Sequence, residues 1–206
     1  MLIPAFNEAE TIAAVVGVSL ASGVGDVLVI DDGSGDGTAR AARAAGAGVL
    51  ELVENRGKGG AVAAGLERID SDAVLLIDAD LIGLRPEHLQ QLIEPLLTGR
   101  VDMARGVFVG GRWRTMAAQR ITPQLSGQRA VRRSLLLEVP GLARSRYGIE
   151  VAITETAKRM GWRCVDVPLA GVSQVMKEEK RGFIGGLATR LAMYGDIVRT
   201  LLRRGR

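Results

Sequence analysis

Several structural devices are missing from this 206-residue chain. Its one cysteine, Cys164, cannot form an internal disulfide, and no basic-then-apolar-then-small leader opens the sequence. Both absences fit a reducing, cytoplasmic setting. The longest apolar candidate, 183–202, is broken by Arg190, Asp196 and Arg199, so no run approaches the ~20 residues of a membrane-spanning helix. No internal repeat, low-complexity tract or linker is visible. With 47% hydrophobic and 24% charged residues, the composition is that of one globular domain over 1–206, neither disordered nor a coiled coil.

The net charge of +4 conceals a division. Residues 1–99 carry 6 basic and 15 acidic side chains, whereas 100–206 carry 21 and 8. Between Arg100 and Arg146 stand ten arginines against two acids, Asp102 and Glu138. Arginine's planar fork of donors suits phosphate or carboxylate oxygens, so this stretch can hold an anionic ligand or simply form a solvated basic face.

Short branched apolar runs alternate with helical patterns in the first half. Val27–Ile30, Val49–Val53 and Ala73–Ile77 read as buried strands. Thr11–Leu20, Thr38–Ala45, Lys58–Ile69 and Pro86–Leu97 read as helices, with Pro86 suited to a first turn. Repeated strand–helix units predict an α/β fold: a mainly parallel, Rossmann-like sheet with helices on both faces and ligands beyond the carboxyl ends of its strands. Only a stub, Met1–Pro4, precedes the first helix as a strand. Trp162–Val167 reads as a late strand with Cys164 as a small core residue, and the lone histidine, His88, as a surface or packing residue of its helix.

The turn after each of these strands is polar. Asp78 and Asp80 stand two apart after the third run; in extended chain they share a side and can approach one hard cation, though loop or cap aspartates have the same spacing. Lys58 lies in the glycine-rich turn Gly57–Gly60 opening a helix, where free N–H groups and the helix dipole favour an anion; a plain tight turn fits equally. Neither a Walker A loop nor G-x-G-x-x-G is present, which argues against a P-loop or nicotinamide enzyme. Asp31 and Asp32 are adjacent and should diverge, one toward a ligand crevice. Asp36 or Thr38 can cap the next helix. A negative half that holds a diphosphate needs a cation, which Asp78 and Asp80 can recruit and Lys58 can assist.

Ile3-Pro4-Ala5-Phe6-Asn7-Glu8, Val29-Ile30-Asp31-Asp32-Gly33-Ser34, Asn55-Arg56-Gly57-Lys58-Gly59 and Asp78-Ala79-Asp80 occur in an order and spacing that resembles family 2 glycosyltransferases of the GT-A fold. The resemblance points to the branch with dolichol-phosphate mannosyltransferase-like enzymes and glucosyl-3-phosphoglycerate synthases. It implies a nucleotide-sugar-binding half, 1–99, in which Pro4, Ala5 and Glu8 line the nucleotide pocket, Asp32 contacts the base, Lys58 meets the diphosphate, and Asp78 with Asp80 bind Mg2+ or Mn2+. The donor it implies is a UDP- or GDP-sugar.

The half 100–206 resembles the acceptor side of that branch. Ser126–Arg133 looks like its acceptor loop, making Gly127, Arg129, Arg132 and Arg133 candidates for an anionic acceptor such as a polyprenyl phosphate or a phosphorylated small molecule. Tyr147-Gly148-Ile149-Glu150 resembles the segment near the reacting centre. Glu150 can orient or deprotonate an acceptor hydroxyl, or pair with an arginine. Asp80, Glu150 and Lys58 are the catalytic candidates. Where related sequences place a histidine as a further metal ligand, Gln174 stands here. The Gln-x-x-Arg-Trp motif of processive polymerases is missing. Spaced leucines and arginines over 183–206 form a basic amphipathic helix that can rest on its own domain, a second copy or the inner face of a membrane. No nucleic-acid partner is expected. A haloacid-dehalogenase-type phosphatase and a non-catalytic nucleotide- or partner-binding protein are the competing readings.

Overall fold

The computed structural model describes residues 1–109 and 126–174. Among these residues nine strands run β1 (Leu2–Ala5), β2 (Leu28–Asp31), β3 (Gly48–Glu51), β4 (Ala73–Leu76), β5 (Leu81–Ile82), β6 (Met103–Val109), β7 (Arg129–Arg132), β8 (Cys164–Ala170) and β9 (Ser173–Gln174). The helices are α1 (Ile12–Ala21), α2 (Thr38–Ala44), α3 (Gly57–Leu66), α4 (Pro86–Leu97), α5 (Arg133–Leu137) and α6 (Ile149–Met160). Short 3-10 turns, Leu142–Arg144 and Arg146–Gly148, lead into α6. Among the described residues no helix is long and apolar enough to cross a membrane. The basic helical pattern of 183–206 lies outside the described residues.

Seven strands form one sheet in the order β3-β2-β1-β4-β7-β6-β8, so both halves of the chain share it. Every pairing is parallel except those of β7, which runs antiparallel between β4 and β6. β5 and β9 form a separate antiparallel pair.

Alternation along the strands sends side chains to two cores. Ile3, Val29, Leu75 and Ile77 pack with Ile12, Val15 and Val16 of α1 and Leu89, Leu92 and Leu96 of α4. Leu2, Ile30, Val74 and Leu76 pack on the other face with Val62 and Leu66 of α3 and Ile149 and Ile153 of α6. Each fully buried Leu or Ile contributes about 1.5–3 kcal/mol, which is why these short strands hold.

The stub expected before Pro4 is an interior strand, β1, between β2 and β4. Proline is tolerated there because the backbone groups of Ile3 and Ala5 serve β2, whereas those of Leu2 and Pro4 point toward β4. β4 pairs with β1 at Leu2 alone and then departs toward Asp78, so no ladder bond is lost at the missing N–H. Cys164 departs from expectation: it opens β8 at the sheet margin and is exposed. His88 is buried, and its Nδ1 accepts the Arg85 N–H at 3.2 Å to close the start of α4.

Candidate active site

The first loops beyond the carboxyl ends of the strands are zipped together by side chains. Asn7 takes a left-handed backbone (φ 56°); its N–H donates to Ser34 Oγ at 2.9 Å, and its Oδ1 accepts the Gly35 N–H at 3.1 Å. Thr38 Oγ1 accepts the Glu8 N–H at 2.8 Å, and Asp36 accepts the N–H groups of Ala9 and Thr38. Asp31 turns to its own loop and accepts the Ser34 N–H at 3.0 Å. Pro4, Ala5 and Glu8 are buried at this end of β1, beside Asp32, whose N–H donates to Ala5 O at 2.8 Å.

Asp32 is 3% exposed, and its two oxygens accept the N–H groups of Arg56 at 2.7 Å and Gly57 at 2.8 Å. Burial raises its pKa above the ordinary carboxylate value; the two N–H donors and the Arg146 guanidinium oppose that rise. Of the N–H groups expected to cradle an anion at the start of α3, those of Arg56 and Gly57 are therefore taken by Asp32 itself. The glycines there serve packing instead. A Cβ on Gly59 would stand 2.3 Å from Leu142 O and 2.4 Å from Ser145 Oγ, so only glycine lets the 142–146 segment lie on the helix.

That packing delivers Lys58 and Glu150 to the acidic turn after β4. The Lys58 ammonium bridges Asp78 Oδ1 and Glu150 Oε1, linking α3, the β4 turn and α6. The three side chains are 21%, 12% and 13% exposed. Burial alone would lower the lysine pKa; the carboxylates of Asp78 and Glu150 outweigh it and raise the value, so Lys58 stays charged. Asp78 Oδ2 accepts Gln128 Nε2 at 2.8 Å and Gln174 Nε2 at 2.6 Å. Gly127 presses on this group: a Cβ there would lie 2.4 and 2.5 Å from the Asp78 oxygens and 2.6 Å from Lys58 Nζ. Asp80 is half-buried in the turn leading to β5, where Leu81 pairs with Gln174.

The arginines behave differently from expectation. Arg129 begins β7 at the site end of the sheet but is 0% exposed; its guanidinium donates to Ser126 O at 2.9 Å and Thr154 Oγ1 at 2.9 Å. Burial pulls its pKa down to about 10 against the pull of Glu150 and Asp78, so it remains a cation beneath the acidic cluster. It does not present its fork to a ligand. Arg132 and Arg133 are at the opposite end: Arg132 pairs with Ala73 across the ladder and with Asp102 at 3.5 Å, and Arg133 donates to Leu66 O at 3.1 Å. The antiparallel direction of β7 sends them there, and acceptor contact by these two is corrected accordingly. Of Tyr147, the backbone alone is described, in the turn before α6.

Two residues at the site lie within stretches the sequence marks but are not singled out by it. Gln128 is fully buried against Asp78, and a neutral amide has no charge to draw notice. Arg146 is exposed, overlies Gly57 and takes a left-handed backbone (φ 41°), uncommon for a non-glycine residue. Among the described residues its guanidinium has no hydrogen-bond or ion-pair partner.

Among the described residues no three His, Cys, Asp or Glu side chains form a metal cage. The donor set still fits a small hard cation, which is commonly held by one or two carboxylates, water and substrate phosphates. Asp78 and Asp80 are the carboxylates that would hold it. Gln174 turns its NH2 to Asp78, so its oxygen points elsewhere and its amide must rotate to ligate.

Fold and site together define a glycosyltransferase of the GT-A class, a Rossmann-like sheet with an acidic turn, lysine and glutamate at its carboxyl rim. The chain belongs to glycosyl transferase family 2, whose family model matches residues 1–155. It is 30% identical to the undecaprenyl-phosphate mannosyltransferase of Micrococcus luteus over 94% of this chain and 92% of that protein. It is 32% identical to the glucosyl-3-phosphoglycerate synthase of Mycobacterium tuberculosis over 99% of this chain and 72% of that one. The crystal structure of the latter with Mn2+, uridine diphosphate and glucosyl-3-phosphoglycerate superimposes with a TM-score of 0.78, at 28% identity, over 98% of this chain and 78% of the other. The phosphatase reading of Asp78-x-Asp80 is set aside by this membership.

Proposed function

We propose that the protein transfers a sugar from a UDP- or GDP-sugar to an anionic acceptor, either a polyprenyl phosphate or a phosphorylated small molecule. The Lys58 bridge between Asp78 and Glu150 carries the reading, because it sets a fixed cation between the acidic turn and the glutamate of α6. The relatives' names supply both acceptor types and, in the mycobacterial structure, Mn2+ with uridine diphosphate.

Asp78 and Asp80 would hold Mg2+ or Mn2+, which supplies charge neutralisation for the departing diphosphate. Lys58 adds a buried positive charge toward the same oxygens, strengthened by the low local dielectric. Pro4, Ala5, Glu8 and Asp32 shape the nucleoside end, where Asp32 keeps further lone pairs for a base N–H. The acceptor oxygen forms a bond to the anomeric carbon as the bond to the diphosphate oxygen breaks, its electron pair leaving with the diphosphate. A phosphate acceptor arrives without a proton to lose, and Glu150 then serves chiefly to orient Lys58. With a hydroxyl acceptor, Glu150 takes the proton. Gly127 bounds the reaction space, and Arg146 takes the acceptor- or diphosphate-facing role that the basic stretch offered through Arg129, Arg132 and Arg133. Peripheral membrane contact through 183–206 and self-association would suit a lipid acceptor.

The test is donor hydrolysis across a panel of UDP- and GDP-sugars with Mg2+ or Mn2+. Turnover of one donor that disappears with a chelator supports the reading. Nucleotide binding without turnover, with or without acceptors, would favour the non-catalytic alternative, which the NH2 that Gln174 turns to Asp78 makes worth testing.

A further inference from the structure

A carboxylate oxygen can only accept, so both amides that meet Asp78 Oδ2 must present their NH2 groups to it. The two are supported unequally. Gln128 is 0% exposed, and its Oε1 lies 3.0 Å from Ser126 Oγ. The single Ser126 hydroxyl proton serves Gly106 O or Gln128 Oε1, and Gln128 O accepts the Gly106 N–H at 2.8 Å, which ties its main chain to β6. Gln174 sits at the end of the two-residue β9, paired with Leu81, and is exposed.

We propose that Gln128 is the positioning residue of the metal–diphosphate site: it holds Asp78 in its ligating orientation, while Gln174 is a replaceable arm. This inference rests on the function proposed above. A fully buried amide that leaves Asp78 has no solvent at hand to replace the bond. An exposed amide exchanges its partner for water at little cost. Asp78 therefore keeps its direction whether or not Gln174 turns away.

The test is Mn2+ affinity in the presence of UDP, followed through the free-Mn2+ electron paramagnetic resonance signal. It uses the full chain as wild type, Gln128→Met and Gln174→Ala. Methionine fills the buried slot without an NH2 donor, so the fold is kept, and a thermal melt checks this. Ser126→Ala loosens the amide without touching its volume. Loss of such an outer partner should weaken Mn2+ by about 10- to 100-fold in Gln128→Met. Ser126→Ala should move in the same direction by less, and Gln174→Ala should change affinity least, with metal-free uridine binding unchanged throughout. Wild-type Mn2+ affinity in a folded Gln128→Met, or a larger loss in Gln174→Ala, would overturn the assignment. A wild-type chain that binds no Mn2+ with UDP would overturn the function reading itself, and this inference with it.

Discussion

Gly127→Ala isolates the geometry of the site in a single methyl group. The new Cβ would stand 2.4 and 2.5 Å from the Asp78 oxygens and 2.6 Å from Lys58 Nζ, distances that real carbon atoms do not occupy. What must move is the far end of two side chains, and no backbone atom is among the three contacts. The fold can therefore yield cheaply: overpacking costs about 1–3 kcal/mol. For a chain of this size, that lowers the melting temperature by about 2–4 °C per kcal/mol. Function cannot yield in the same way if, as proposed, the atoms displaced are the ones that hold the cation and the diphosphate. A displacement near 1 Å costs about 100-fold in rate. Gly17→Ala is the matched control: Gly17 is exposed in α1, and a Cβ added there would meet no heavy atom within 4 Å, so alanine should stabilise by about 0.5–1 kcal/mol and leave turnover intact. Donor hydrolysis and thermal melts on both variants read the result. Wild-type turnover in Gly127→Ala would refute the close packing of the 126–128 turn on Lys58 and Asp78.

Asp32→Asn should free one of the Arg56 and Gly57 amides, since the new side chain has a single accepting oxygen, at a cost of about 1–3 kcal/mol; faster hydrogen exchange at those amides checks it. Acid should loosen the far end of the sheet. The Arg163 hydrogen bonds hold the Asp102 carboxyl down at about 2, so its contribution is present above the ordinary value of 3.8 and is lost as pH falls toward 2. Partial exposure screens that contribution to about 1 kcal/mol, and Asp102→Asn should flatten the acid limb of a melting-temperature profile. Arg146→Gly relieves the left-handed backbone while removing the cation: stability should hold or rise, and the KM for donor or acceptor should increase about tenfold or more, consistent with loss of a charge-assisted bond. Unchanged KM values would deny Arg146 any ligand.

The sequence shows most of the scaffold because its elements obey local rules. α1, α2 and α4 start and stop within a residue of the spans read from apolar spacing and Pro86, and hydrogen bonds from Asp32 to the Arg56–Gly57 turn and from Lys58 to Asp78 join the three polar turns. Strand direction is not a local property. Arg129-Ala130-Val131-Arg132 reads the same way up or down; its ends lie ~10 Å apart along the strand, and only the antiparallel run decides that Arg129 is the end beneath the site and Arg132 the end away from it. Lys58 drew notice through charge and glycine context, but what those glycines accommodate, the 142–146 segment, is distant in sequence. Gln128 is silent for a similar reason: its importance lies in burial against Asp78, fifty residues away in the chain. Cys164 misled because an apolar strand suggests a core, whereas β8 lies at the margin of the sheet.

Calorimetric titration of UDP into wild type and Asp80→Ala, each with Mn2+ and with a chelator, addresses the diphosphate site most directly. Tight binding by the wild type with Mn2+, lost both on chelation and in a folded Asp80→Ala, is the expected result. Equal affinity in all four titrations would contradict the metal–diphosphate assignment of Asp78, Asp80 and Lys58.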